Sequence, residues 1–576
     1  MPVARLTLTV PEEGGDRLSD EVELYQRTYT TLLRSSGETR LRVLETSHRQ
    51  MASSLHPLAA SEELDLGAFL YAVRRLPDEI ADDAKLIVMG QDVEAFAAAG
   101  LDVGAWREAE APARRRRWYV GPQRTLAVLL ASVSDVDDLV PTLVAFQIEW
   151  NKMALRARAA AFPDDGPLEP ERCAAALGGQ ADDWRRLRDA WGERFAERMA
   201  FIAGDRGLSL HVRMLGGTHI GYARTTRRWW TPVRAELAAQ ELVDRPLYFV
   251  SSNTHSLTNI VTGIARAHED ELVAYVEGLP ESDILHAELR AFRDGHSKGS
   301  WENFLYFVAR DYWDLGDDDG RAQRSLAERA AGVTHIRSTN ALRVPAQIMP
   351  LGALDASRLD PRLGAIDAKA LAASRGVVVN IDYPLGAAAY NILREVAVDA
   401  SALRGVYVLG KAATLNADVG DVMISSVIHD EHSGSTYWLD NVFDVADLAA
   451  DLRFGTGLDN QRAVTVKSTF LQNRAYLDFY YREAYTVVEM ESGPFCAAVY
   501  EIADPERHPF GEAVNFAKLP IDFGIIHYAS DTPYTQARTL GARGLSYYGM
   551  DSTYASSLAI LRRILRLEGA LAAAAV

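Results

Sequence analysis

The chain of 576 residues holds only two cysteines, Cys173 and Cys496. That number excludes a disulfide framework and a thiolate zinc site, and it fits a reducing compartment. Long apolar runs are missing too. Nowhere do 18 uncharged apolar residues follow one another, and the opening MPVARLTLTVPEEGG contains no apolar signal core. The expectation is an untargeted cytoplasmic protein with no membrane span. Positive charge is in deficit, with a net charge of −18. Nucleic acid and anionic membrane would be repelled by the average surface and are excluded as main partners. The one local exception, Arg114-Arg115-Arg116-Arg117, is expected to be a solvated loop. What is present is ordinary for a globular protein, 48% apolar and 24% charged residues, and the length calls for about two to four domains.

The N-terminal part reads as a helix-rich α+β region. A short strand is expected over 6–10, then a helix in which Leu24, Tyr25, Tyr29, Leu32 and Leu33 recur at helical spacing. The run at 86–89 is a brief strand. Helical pattern returns over 125–160, with Asp135, Asp137 and Asp138 at a helix start, where carboxylates favour the exposed N–H groups. Capping outweighs a metal site for this trio, and no metal is expected anywhere. A break rich in Pro, Gly and Asp at 162–170 places a boundary near 165. Beyond it, strands are expected over 208–215 and 247–250. The second runs into Ser251-Ser252-Asn253-Thr254-His255-Ser256 and a helix. Hydroxyl-rich helix starts offer N–H groups to anions, and Arg224, Arg227 and Arg228 nearby would complete a clamp. The plainer alternative is a helix cap with surface arginines. His255 receives no catalytic role.

From about 345 short strands alternate with helices, at 377–381, 406–409, 419–424, 463–468, 487–491 and 523–528. The fold class is α/β, with a mostly parallel or mixed sheet flanked by helices. Three domains are expected: 1–165, helix-rich; 166–344, an α/β accessory or substrate domain; and 345–576. The last is organised around Val487-Val488-Glu489-Met490-Glu491-Ser492 and Ser530-Asp531-Thr532-Pro533. Strand alternation puts Glu489 and Glu491 on one side with Met490 opposite, at a strand-to-helix junction where ligands of open α/β sheets bind.

In order and spacing these motifs resemble the nucleoside phosphorylase superfamily, which includes purine and uridine phosphorylases, methylthioadenosine nucleosidase and AMP nucleosidase. Gly410-Lys411-Ala412-Ala413-Thr414-Leu415 stands where that family has a G-x-A-G-G-L turn, and Val419-Gly420-Asp421-Val422-Met423-Ile424 where it has a V-G-D strand. Val488 to Ser492 match V-E-M-E-S, and Ser530 to Pro533 match S-D-x-P. The resemblance covers roughly residues 370–570 and implies cleavage of a purine nucleoside or nucleotide at its N-glycosidic bond, through an oxocarbenium-like sugar. It implies Asp531 as general acid at the base, Glu491 as acceptor of ribose hydroxyls with Met490 on the sugar, Phe470 stacked on the base, and Glu489 as the carboxylate that activates water. Gly410, Lys411 and Ser530 would line the substrate.

Departures from the family pattern also carry information. Lys411 replaces a Ser or Thr, Ala413 and Thr414 replace glycines, and no Gly-Asp-Pro-x-Arg phosphate loop is present; the nearest sequence, Asp382-Tyr383-Pro384-Leu385-Gly386, follows a later strand. Water and phosphate stay open as nucleophile, with no cofactor beyond phosphate as a co-substrate. Arg227 and Arg228 are the candidates for a substrate phosphate. The partner is a small nucleoside or nucleotide, and the family's shared active sites imply a homo-oligomer. Two alternatives stand: a nucleotide-binding regulatory protein without turnover, and a glycosyl transferase of a specialised pathway.

Overall fold

The computed structural model describes residues 15–35, 37–82, 84–162, 168–204, 207–280, 282–314, 318–516, 518–532 and 549–572. The strand expected over 6–10, residues 163–167 of the expected boundary, and Pro533 lie outside them. The described residues fall into two compact units, where composition suggests three domains. The first holds the residues up to Thr225 and Val466–Ala484; the second holds Thr226–Thr465 and the residues from Tyr485 onward.

The first unit is built on six strands: β1 (Thr39–Arg40), β2 (Leu86–Gly90), β3 (Arg107–Ala111), β4 (Arg114–Val120), β5 (Thr125–Leu129) and β6 (His211–Leu215), in the order β1-β6-β2-β5-β4-β3. The apolar run of β2 pairs in parallel with both β5 and β6, as a strand buried on both faces should. The helix Val133–Ala159 opens with a capping box between Ser132 and Asp135, so the acidic trio begins a helix as its spacing predicts.

The basic run is not a solvated loop. It forms the start of β4, and alternation turns Arg116 inward, where it is 4% exposed and reaches Asp135 and Asp138 at 2.7 Å each. Arg114 adds a two-pronged contact to Asp138. Burial alone would raise the Asp138 carboxyl; the two guanidinium groups overcome that and hold it well below the usual range. Asp137 accepts from the Tyr29 hydroxyl at 2.5 Å. Among the described residues no group of three or more His, Cys, Asp or Glu could hold a metal ion, and no helix is long and apolar enough to cross a membrane. Both cysteines are buried and unbonded to each other.

The second unit carries β7 (Leu247–Ser252), β8 (Thr334–Ile336), β9 (Ala346–Pro350), β10 (Val377–Asp382), β11 (Leu403–Thr414), β12 (Val422–Asp430), β13 (Ser435–Trp438), β14 (Gly457–Thr465), β15 (Val487–Glu489), β16 (Ala513–Asn515) and β17 (Asp522–Asp531). They form one mixed sheet ordered β16-β13-β12-β14-β15-β11-β7-β10-β9-β8, with β17 paired to β11 and β12. Because β11 also pairs β15, and β14 pairs both β15 and β12, the strands β11, β17, β12, β14 and β15 close into a ring. The strand expected to belong to an accessory domain, β7, lies between β10 and β11 and is buried along its whole length. Its side chains are apolar on both faces as far as Val250, so it needs cover on both, and only the middle of a sheet supplies it.

Candidate active site

The strand β15 ends at Glu489 and the helix Ser492–Ala503 starts three residues later with Glu491 at its N-cap. Strand alternation therefore stops two residues short of Glu491 and does not set its direction, and the two carboxylates differ in burial. Glu489 turns inward and is 4% exposed; Glu491 and Met490 stay half-buried. One oxygen of Glu489 accepts the N–H groups of Glu491 and Ser492, each at 2.7 Å. The other accepts the Thr465 hydroxyl, whose oxygen takes the Gly493 N–H at 2.7 Å. Burial pushes the Glu489 carboxyl up, against the hydrogen bonds that favour its ionised form. Both oxygens are engaged in holding the first turn of the helix. Three of the roughly four lone-pair sites of this carboxylate are thus used within the protein, so its first task is to support that turn, beside the water-activating role implied by the resemblance.

Glu491 is the more accessible carboxylate. Its Oε1 accepts the N–H of Gly386 at 3.1 Å, in the loop after β10, where Gly386 sits at φ +51°. The loop that sequence order sets apart from the site is thus brought to it by the fold.

Asp531 closes β17. The ladder between β11 and β17 pairs Ala412 with Ala529 but Ala413 with Asp531, so Ser530 is the extra residue of a bulge, and its hydroxyl donates to the Ala412 carbonyl at 3.1 Å. Bulges re-aim the residue that follows, here Asp531, whose Oδ1 accepts the Thr532 N–H at 2.8 Å. The expected turn at 410–415 is instead strand as far as Thr414, paired through Ala413 and Thr414 to Val488 and Val487. Ala412, Ala413 and Thr414 carry the side chains that a glycine turn lacks, and ladder pairing, on both edges at Ala413 and on one at its two neighbours, keeps them extended. Lys411 lies on this strand beside Tyr528, half-buried.

Gly410 remains a glycine for a visible reason. A Cβ there would stand 2.9 Å from Cδ2 of His527, a fully buried residue of β17 that sequence reading passes over as part of an apolar run. His527 Nε2 lies 3.0 Å from the Ser492 hydroxyl and 3.9 Å from Glu489, and Nδ1 lies 3.5 Å from the Ser425 hydroxyl. Burial pushes its pKa down to about 3, so the ring is neutral and serves as a hydrogen-bonding spacer between three strands and the helix. The signals for it were its place four residues before Asp531 and the glycine opposite.

Three residues expected at the site are placed differently. Phe470 belongs to the first unit, fully buried, with its ring edge-on to Tyr71 at 5.2 Å and near His48 and His56. Those histidines continue a buried chain in which His48 Nε2 meets His56 Nδ1 at 3.0 Å and His56 Nε2 meets Glu149 at 2.8 Å. Phe470 is therefore core. Arg227 is exposed on the helix His219–Ala239 and pairs with Glu395 at 3.3 Å; Arg228, the next residue on that helix, is exposed. Arg224 falls in the first unit. The helix after β7 is capped by an amide and not by the hydroxyls: Asn253 Oδ1 accepts the His255 and Ser256 N–H groups, while the Ser252 hydroxyl donates to the Asn253 carbonyl and to Asn380 Oδ1.

The second unit is thus a mixed α/β sheet in which distant strand ends carry three carboxylates, a lysine and a buried histidine. The chain belongs to a family of unknown function, DUF6909, whose model matches residues 41–566. No curated protein matches the sequence. Solved structures similar to it include uridine phosphorylase from Schistosoma mansoni in complex with thymine, at 10% identity and a TM-score of 0.30 over 58% of this chain and 91% of that one. Others are a putative methylthioadenosine nucleosidase from Weissella paramesenteroides ATCC 33313 (12% identity, TM-score 0.27, 44% and 97%) and the MTA/SAH nucleosidase of Streptococcus pneumoniae in complex with 8-aminoadenine (12%, 0.27, 41% and 92%). Likeness at this level leaves function to be argued from the residues.

Proposed function

We propose that the second unit cleaves the N-glycosidic bond of a purine nucleoside or nucleotide. The observation that carries the reading is convergence: residues 410–413, 487–491 and 527–531, far apart in the chain, are neighbours through the pairing of Ala413 with both Asp531 and Val488. Asp531, half-buried at a bulge, is the general acid that protonates the leaving base, a role worth roughly 10²–10⁴ in rate. Glu491 accepts the ribose hydroxyls, a contact that tightens as the sugar gains positive charge. Met490 packs on the sugar, and Glu489 positions Glu491 by holding the helix start. Lys411, on β11 beside Tyr528, supplies a cation for an anionic substituent. Water is favoured over phosphate as nucleophile, because the segment 412–414 is strand with side chains at every position, where a phosphate cradle would need a glycine-opened backbone.

The test is a panel of purine nucleosides and 5′-nucleotides, with and without phosphate, followed by chromatography for free base. Base release by the native protein and its loss in Asp531→Asn is the expected outcome. Equal release by Asp531→Asn, or none from any substrate by the native protein, overturns the reading. The absence of release together with tight nucleoside binding would instead favour a regulatory binding protein, for which the filled 412–414 segment is the specific observation.

A further inference from the structure

A groove of about 440 Å³ opens on the second unit, lined by Ser426, Val427, Trp438, Asp440, Asn460, Arg462 and Asn515, none of which belongs to the candidate active site. Strand register builds it. Trp438 of β13 pairs with Asn515 of β16 on one side and with Val427 of β12 on the other, and Val427 pairs in turn with Arg462 of β14. Directly paired residues project to the same face of a sheet, so Asn515, Trp438, Val427 and Arg462 form one row across four strands. With neighbouring strands about 4.8 Å apart, the backbones of Trp438 and Arg462 lie two spacings, about 10 Å, apart on either side of Val427.

Two irregularities keep the row open. The ladder between β12 and β14 shifts register on both sides of Ser425, and Asn460 takes φ +56°, a left-handed conformation that few residues other than glycine, Asn and Asp accept. On β12, Ser426 is left out of the pairing with β14, and its carbonyl accepts the Leu439 N–H at 2.8 Å. The segment over the groove is anchored: the Asn441 amide donates to the carbonyls of Ser425 and Ile525 at 3.0 and 2.8 Å, which fixes Asp440 at the rim. Trp438 keeps 48% of its surface exposed although strands support it on both sides. Register shifts of this kind re-aim side chains on the bulged strand, and the volume is that of a small-molecule site.

The geometry points to a binding site for a planar heteroaromatic ring of the nucleobase type. A planar ring laid over Val427 can stack on the half-exposed indole of Trp438, with Arg462 lining the other side of the groove as a guanidinium partner. The amides of Asn460 and Asn515 and the carboxylate of Asp440 offer the mixed donors and acceptors that the edge of a base requires. Arg462 and Asp440 balance in charge, so the slot favours a neutral ring over an anion. The site is independent of the glycosidase reading, since it uses none of the residues around Asp531.

The experiment is calorimetric titration of the full chain with adenine and with uracil, neither of which has a glycosidic bond to lose, and with methyl β-glucoside as a ring without π-electrons. Binding of at least one base is expected, weakened at least about tenfold by Trp438→Ala and by Arg462→Ala, with Trp438→Phe retaining it within about threefold. Thermal melts of each variant separate lost binding from lost fold, and Trp438→Phe carries the test if Trp438→Ala melts early. No heat with either base, binding that ignores both groove variants, or glucoside binding in place of the bases would each overturn the site.

Discussion

Replacing His527 with glutamine should change how stability depends on pH. The native ring is fully buried and neutral, with its pKa pushed by burial from 6.5 to about 3. In the unfolded chain the same ring takes up a proton near pH 6.5. Its folded pKa is depressed, so its contribution is fully present above pH 6.5 and is lost as pH falls toward 3. Between pH 7.5 and pH 5.0 the unfolded state gains about 1.5 pH units of proton binding that the fold refuses, at about 1.4 kcal/mol each, or about 2 kcal/mol. A glutamine side chain cannot titrate. Urea unfolding of both proteins at the two pH values isolates this share, because the other titrating groups, His255 among them, are common to both. The native protein should start more stable at pH 7.5, since Ser492 keeps its partner, and the gap should close by about 2 kcal/mol at pH 5.0. Parallel pH dependence in the two proteins would mean that His527 is charged or solvated in the fold, and it would refute the spacer role.

Gly410→Ala should cost about 1–3 kcal/mol in urea unfolding, because the new methyl meets the His527 ring at 2.9 Å; a neutral effect would show that the ring is free to move. Phe470→Ala should destabilise the first unit by about 3–5 kcal/mol, and leave the KM for any nucleoside within about twofold, whereas a base-stacking residue would lose affinity with little loss of stability. Glu491→Gln should lower kcat/KM at least about tenfold on ribosides; native activity that is equal on 2′,3′-dideoxyribosides would remove the ribose contact from the mechanism.

The strand-to-helix junction at Glu489 is legible in the sequence because it is local: an apolar run meets small residues, and a carboxylate can reach the next N–H groups without help from elsewhere. The capping of the helix Val133–Ala159 by Ser132 and Asp135 is legible for the same reason. The alternating texture beyond residue 345 likewise reveals a mixed sheet, since strand and helix periods are properties of short segments. Pairing is another matter. That β7 belongs to the middle of the C-terminal sheet, that 410–414 is strand, and that Ser530 bulges depend on which strands lie alongside, and no local pattern encodes a neighbour hundreds of residues away. Arg116 illustrates the limit from the side of charge: four arginines in a row suggest solvent until two aspartates from a helix cap stand opposite. Phe470 illustrates it from the side of packing, because a spacing of 19 residues from Glu489 is counted along the chain, while 466–484 folds into the core of the first unit. Local chemistry was decided by sequence, and the company each side chain keeps was decided only when the tertiary structure brought distant strands and helices into register.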